Sequence, residues 1–232
     1  MKYLRGFFSI LMLVFLFANI VIGVAAINTG FSTEPVTDDD SERFIKNINL
    51  STLTSEPKKK PIVCFDVSDD EMIAIGCGTS TNKTVCIYTS DGDFQYGFRF
   101  ECDGTFGVEL DGDVLLIYFV RSDIALGLTS DGEIHSISKI ENSKENNSYW
   151  NYEVFSTKRE VNGKTYTIKN KNRFTLASTY SQLIIDDNNE KTVFYDASQI
   201  QSFVITIQIV LICVIIFVTV LSVLWRFGIL KH

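Results

Sequence analysis

The sequence predicts an all-β domain set between two apolar segments, and three observations predict it. Short runs rich in β-branched and aromatic residues follow one another from Pro61 to Ala197, separated by Asp, Asn and Gly. An uncharged apolar run, Phe203 to Leu224, would span roughly 33 Å as a helix, enough to cross the hydrocarbon core of a bilayer. A hairpin-tip pattern returns after about 40 residues, the kind of period that marks stacked β units.

The chain opens with Lys2 and Arg5, followed by an apolar run from Gly6 to Ala26 in which Asn19 is the one strongly polar residue. Two readings stand: an uncleaved transmembrane anchor, favoured by the length of the run, or a signal peptide cut after Val24-Ala25-Ala26. Basic residues tend to remain in the cytoplasm, so Lys2 and Arg5 place residues 1–5 inside, and Arg226 and Lys231 place the tail, 225–232, inside as well. The segment between the apolar runs then lies outside the cytoplasm, and the protein is expected at the cell membrane.

Residues 27–60 are mostly Thr, Ser, Asp, Glu and Asn, with Pro35 and Pro57. Such a composition buries too little apolar surface to offset the entropy of ordering, so a flexible stalk is expected. Within it, Arg43 to Leu50 is read as transient structure rather than as an amphipathic turn laid on the membrane or the domain.

Residues 61–198 form the β-rich domain. Its expected strands are PIVCFDV, MIAIGC, TVCIYTS, FQYGFRFE, VLLIYFV, IALGLTS, EIHSISKI, KTYTIK, QLIIDD and KTVFYDA. Asp91-Gly92, Asp111-Gly112, Asp131-Gly132 and Asn162-Gly163 are read as turns, because these dipeptides tolerate the positive φ that tight hairpins demand. The repeat lies beneath them. Thr89-Ser90-Asp91-Gly92-Asp93-Phe94 recurs as Thr129-Ser130-Asp131-Gly132-Glu133-Ile134, and Val67 to Ile73 aligns with Val108 to Val114. A looser third copy runs through Glu160-Val161-Asn162-Gly163-Lys164 to Asp187-Asn188-Asn189-Glu190, stretched by the polar insert Glu141 to Ser148.

YTSDGDFQYGFRF, GVELDGDVLLIYFV and IALGLTSDGEI resemble the NHL-type propeller blade, over about Phe65 to Ile140. The resemblance implies about three blade-like repeats, against the four or more with which propellers close. Three arrangements follow: an open stack of sheets, a ring completed by a second chain, or degenerate strands within the insert. The wider layout, a β-rich domain leading into a terminal membrane helix, resembles a group of bacterial membrane proteins that supplies no activity and no functional residues.

Candidate chemistry is sparse. Of five cysteines, Cys213 sits in the apolar run as a small apolar residue. Cys64, Cys77, Cys86 and Cys102 fall in or beside strands. Outside the cytoplasm they could form two disulfides, Cys77 with Cys86 across a hairpin turning at Thr81-Asn82, and Cys64 with Cys102 by elimination. Four buried free thiols are the favoured alternative. No zinc spacing is present, and no cofactor is expected.

Asp69, Asp70, Asp91, Asp93, Asp111 and Asp113 invite a calcium or glycosidase reading, but they lack the calcium-loop spacing and read first as acidic hairpin tips. His135 lies on an ordinary strand, with neither a nucleophile elbow nor a phosphate loop to accompany it. Phe94, Tyr96, Phe98 and Phe100 alternate as one strand face against a core. The sequons at Asn49, Asn82 and Asn146 are chance features of an Asn-rich chain.

A net charge of −7, with Lys58-Lys59-Lys60 as the only basic run, excludes nucleic acid as a partner. What remains is a membrane-anchored, non-catalytic binding or scaffolding module for an envelope protein or extracellular ligand, or one that self-associates. The alternative is an enzyme acting on glycans or cell wall through paired acids.

Overall fold

The computed structural model describes residues 29–171 and 178–226; the expectations for residues 1–28 and for the last residues of the tail lie outside them. Three antiparallel sheets form, none closed on itself. The first sheet contains β3 (Ile62–Val67), β4 (Ile73–Cys77), β5 (Asn82–Tyr88) and β6 (Phe94–Glu101). The second contains β7 (Phe106–Asp111), β8 (Val114–Phe119), β9 (Ile124–Leu128) and β10 (Ile134–Ile140). The third contains β11 (Lys158–Val161), β12 (Lys164–Lys169), β13 (Gln182–Asp187) and β14 (Glu190–Asp196). Each is a meander in which consecutive strands pair, as short turns dictate.

All ten expected strands form. The two additional strands of the meanders, β7 and β11, carry the polar patterns Phe-Gly-Val-Glu-Leu-Asp and Lys-Arg-Glu-Val, which weaken their propensity signal.

The repeated tips fold identically. Thr89 N–H donates to Asp93 O and Gly92 N–H to Thr89 O, while Asp93 N–H reaches Thr89 Oγ1 at 3.2 Å. Thr129, Gly132 and Glu133 reproduce the same three bonds. Gly92 and Gly132 hold φ values of 92° and 89°, which explains the glycine in both copies. The turn between β3 and β4 uses the same pattern through Ser68, but Glu71 occupies the positive-φ position at 60°.

The expected stalk is built into the domain. β1 (Thr33–Pro35) pairs with β10, and β2 (Ser51–Leu53) pairs with β6, so each of the first two sheets gains a fifth strand on its outer edge. Between them lies α1 (Asp38–Ile48), with Thr37 accepting from Asp40 N–H at its start, three acids in its first turn, and Asn49 in the left-handed region at its end. Ile48 is buried and Phe44 meets Phe119 edge-to-face at 4.9 Å. Full burial of a side chain such as Ile48 contributes about 1.5–3 kcal/mol, and together with the backbone pairing of β1 and β2 it holds a segment that is otherwise polar.

The first sheet is covered on both faces. One core joins it to the second sheet through Val85, Phe98, Phe100, Phe106, Leu115 and Phe119. Another joins it to the third through Phe65, Ile75, Tyr88, Tyr166, Leu183 and Tyr195. This double burial explains why β3 to β5 read as nearly unbroken apolar runs. A smaller cluster on the far face of the second sheet is closed by Phe31, Tyr149 and Trp150. The last two follow the polar insert Glu141 to Ser148 directly, at the end of α2 (Lys144–Tyr149) and the start of a π-helical turn (Trp150–Val154).

α3 (Ser198–Arg226) leaves directly from β14. Its span Ser198–Ser222 is long and apolar enough to cross a membrane, and the side chains along it face outward. Gln201 is buried at its base and donates to Asn170 Oδ1 at 2.8 Å and Thr179 O at 3.0 Å, which docks the helix on the domain.

Candidate functional site

Meander topology sends the turns to two ends. The β3–β4, β5–β6, β7–β8, β9–β10, β11–β12 and β13–β14 turns lie at the end away from the base of α3, and Asn162 Nδ2 links two of them by donating to Asp69 O at 2.9 Å. The candidate acids Asp69, Asp70, Asp91, Asp93, Asp111 and Asp113 all sit on the first three of these turns. All but Asp111 are fully exposed, and they are spread over separate tips.

The structure brings together a different pair of acids. Asp66 on β3 and Glu109 on β7 lie near the contact of the three sheets. Asp66 Oδ1 accepts from Arg159 Nε at 2.8 Å and Oδ2 from Leu110 N–H at 2.9 Å. Glu109 accepts from Tyr149 Oη at 2.6 Å on one oxygen and from Tyr118 Oη on the other. Burial raises both carboxyls above their ordinary range, against the lowering pull of these donors. All four oxygens are already engaged by the protein, so the pair serves as a fastener between β3, β7, β11 and α2 rather than as an acid and base awaiting substrate. Its only trace in sequence is a charge within each of two strands, a lone Asp66 in the apolar β3 and Glu109 between Val108 and Leu110 in β7.

The cysteines are free thiols. Cys77 stands opposite Thr84 and Cys86 opposite Ile75, so the two are diagonal neighbours, offset by two residues from the register that a turn centred on Thr81-Asn82 requires. Cys64 packs in the core between the first and second sheets, and Cys102 lies at that core's edge. Burial pushes Cys77 up to about 11 and Cys86 up to about 12, and raises Cys64 and Cys102 as well, which keeps all four protonated and weakly nucleophilic.

His135 is exposed on β10. The aromatic alternation of β6 runs into core. Phe98 and Phe100 are buried, while a bulge that pairs Tyr88 with Phe94 turns Phe94 toward the third sheet. Asn146 is also buried, its side chain holding Ser32 N–H, Ser32 O and Glu141 O, so the last sequon is occupied by structure.

No family model matches the chain, and comparison with curated proteins and with solved structures yields no match.

Two features at the base of α3 stand out. The first is a cleft of about 640 Å³ between the β4–β5 loop, the β6–β7 loop and residues 178–180, lined by Thr79, Ser80, Thr81, Thr105 and Thr179 and by Lys83. Lys83 is 4 % exposed, and its ammonium donates to Gly78 O at 3.2 Å and lies 6.0 Å from the centre of the Phe106 ring. The second is an open sheet edge. β14 ends the third sheet, and among the described residues no strand pairs with its outer side, where β6 and β10 each have a partner. Glu190, Lys191, Thr192 and Val193 on it are exposed.

Proposed function

We propose that the chain is a membrane-anchored, non-catalytic module whose β domain stands outside the cytoplasm and binds or scaffolds another envelope protein or an extracellular ligand. The three meanders serve as blade-like units, held at the membrane by α3 with its C-terminal end in the cytoplasm. The observation that supports partner binding is the open edge of β14. An unpaired strand edge presents a row of backbone donors and acceptors that an extended segment can complete, and this one lies directly before the membrane helix.

The enzyme alternative has weaker support. The turn aspartates are dispersed, and Asp66 and Glu109 are fully engaged in joining strands.

The test is a photo-crosslinking residue at Glu190, exposed on the same edge, in intact cells, with and without proline at whichever of Thr192 and Val193 directs its N–H away from β13. Proline removes that donor. Capture of one recurring protein, lost in the proline variant, is the expected result. Capture of the chain itself would assign the edge to self-association. Crosslinking unchanged by proline would exclude strand addition.

A further inference from the structure

We propose that the base of the domain holds an anionic phospholipid, its phosphate in the Lys83 cleft and an acyl chain along α3. The inference rests on α3 lying in the membrane, as above, and on four observations.

First, Lys83 is a buried cation, and no carboxylate of the described residues pairs with it. One of its donors reaches Gly78 O, the Phe106 ring centre lies 6.0 Å from it, and the residue lines a cleft rich in hydroxyls. A buried ammonium without a counter-charge is unfavourable, and a phosphate in hydrogen-bond reach of the lysine and its threonines would relieve that. Asp103 lines the same cleft but is paired with Arg121 at 3.6 Å.

Second, the cleft does not end in water. It shares Gly78, Thr79, Ser80 and Thr179 with a second cavity of about 470 Å³, whose remaining wall includes Lys60 and, from α3, Gln201, Val204, Ile205 and Gln208. That wall passes into a third groove of about 360 Å³ formed by Ile205, Gln208, Ile209, Leu211 and Ile212. The track thus runs from hydroxyls and a buried cation to the apolar flank of the helix. A free solute has no use for such a gradient, whereas a lipid carries both chemistries on one molecule.

Third, the basic run Lys58-Lys59-Lys60 lies at the α3 end, where Asp103 and Asp196 also lie, and the hairpin-tip aspartates lie at the other. Lys59 is held 5.0 Å over the Tyr195 ring and the Lys60 backbone is bonded both ways to Tyr195 Oη. In an acidic protein this places positive charge beside the headgroups.

Fourth, Gln201 fixes α3 to the loop that forms the cleft wall, so the polar and apolar halves of the track keep their alignment.

The test uses the full chain in detergent, with native mass spectrometry reading retention of phosphatidylglycerol against phosphatidylcholine. Phosphatidylglycerol is expected to be retained preferentially. Lys83→Gln should weaken it about tenfold, the loss of one charge-assisted contact. Lys60→Gln, an exposed change that leaves folding intact, should weaken it a few-fold, and Lys83→Arg should restore most binding. Equal retention of both lipids, or undiminished phosphatidylglycerol binding in a folded Lys83→Gln variant, would overturn the proposal. Inorganic phosphate is the competing source: Lys83-dependent thermal stabilisation by phosphate equal to that by the lipid would overturn the acyl-chain half and leave a solute site. Alkaline carbonate extraction of the chain from membranes is read separately, because release there would remove the membrane reading itself.

Discussion

The central sheet has two interfaces, and they are built differently. Toward the second sheet it presents aliphatic side chains and a run of aromatic rings in edge contact, with Phe100 meeting Phe106 at 5.2 Å and Phe119 at 5.3 Å. Toward the third sheet the core is smaller and richer in tyrosine and cysteine, and its rim is clamped by polar ties: Asp66 to Arg159, Glu71 to Lys164, and Asp69 to Asn162. Burial of apolar area does not depend on protonation or on charge screening, whereas the Asp66–Arg159 and Glu71–Lys164 ion pairs do. The difference teaches that the first two sheets form the stable body, and that the third, which carries the open edge and leads into α3, is held by adjustable contacts.

The largest effect is expected where the aromatic interface is broken. Phe106→Ala should lose about 3–5 kcal/mol in denaturant unfolding, the usual loss for a buried phenylalanine. Next, Asp66→Ala should lose about 3 kcal/mol, because it strands the Arg159 guanidinium, which also donates to Glu153 O at 2.6 Å. If the clamp account holds, amides of β12 and β13 will exchange with deuterium sooner than before in Asp66→Ala while those of β8 stay protected; uniform loss of protection would break the distinction between the interfaces.

A smaller effect concerns pH. Burial raises the Glu109 carboxyl above its ordinary 4.5, so the folded state holds that proton more tightly than the unfolded chain does. Its favourable contribution is present below the unfolded value and is lost as pH rises through the raised folded value. Glu71 and Asp196 run the other way. Their folded values are lowered, Glu71 chiefly by the Lys164 hydrogen bond and Asp196 by bonds from Ser198 and Gln182 that outweigh its burial, and their contribution is lost as pH falls. Asp66, also raised by burial, acts in the same direction as Glu109, so Glu109→Gln should shrink the branch that is lost as pH rises and leave the loss at low pH; an unchanged profile of unfolding free energy against pH would show that Glu109 does not contribute to it.

The smallest effect is at Tyr166, whose hydroxyl is buried in the core between the first and third sheets without a hydrogen-bond partner among the described residues. Tyr166→Phe should leave stability unchanged or raise it by up to about 1 kcal/mol in thermal melts. A clear loss would mean that the hydroxyl has a bonding role.

Much of this architecture was legible in the chain. The Thr-Ser-Asp-Gly tips form the same hydrogen-bonded turn in both copies, and short turns between strands of Val, Ile, Phe and Tyr bring each strand against its sequence neighbour. Less legible was the segment from Phe31 to Leu53. Its polar composition argues for a stalk, yet a few apolar side chains, Phe31, Phe44 and Ile48, are enough to hold it once the sheets offer a surface. The register of β4 on β5 was similarly out of reach, since one residue in the placement of a turn moves the opposing partner by two.

The candidate site was less visible still. Asp66, Glu109 and Arg159 lie far apart in the chain and meet only because three sheets stack, and Lys83 reads as an ordinary solvated lysine until burial removes its water. By itself the sequence determined the turns, the strand order within each meander and one helix able to cross a membrane, because each follows from local backbone chemistry or from the hydropathy of a continuous run. Tertiary structure alone decided which strand edges are covered, which charges are buried together, and that Lys83 and Lys58 to Lys60 lie at the end from which α3 departs, because those are contacts between residues that only the packing of sheets brings within a few ångströms.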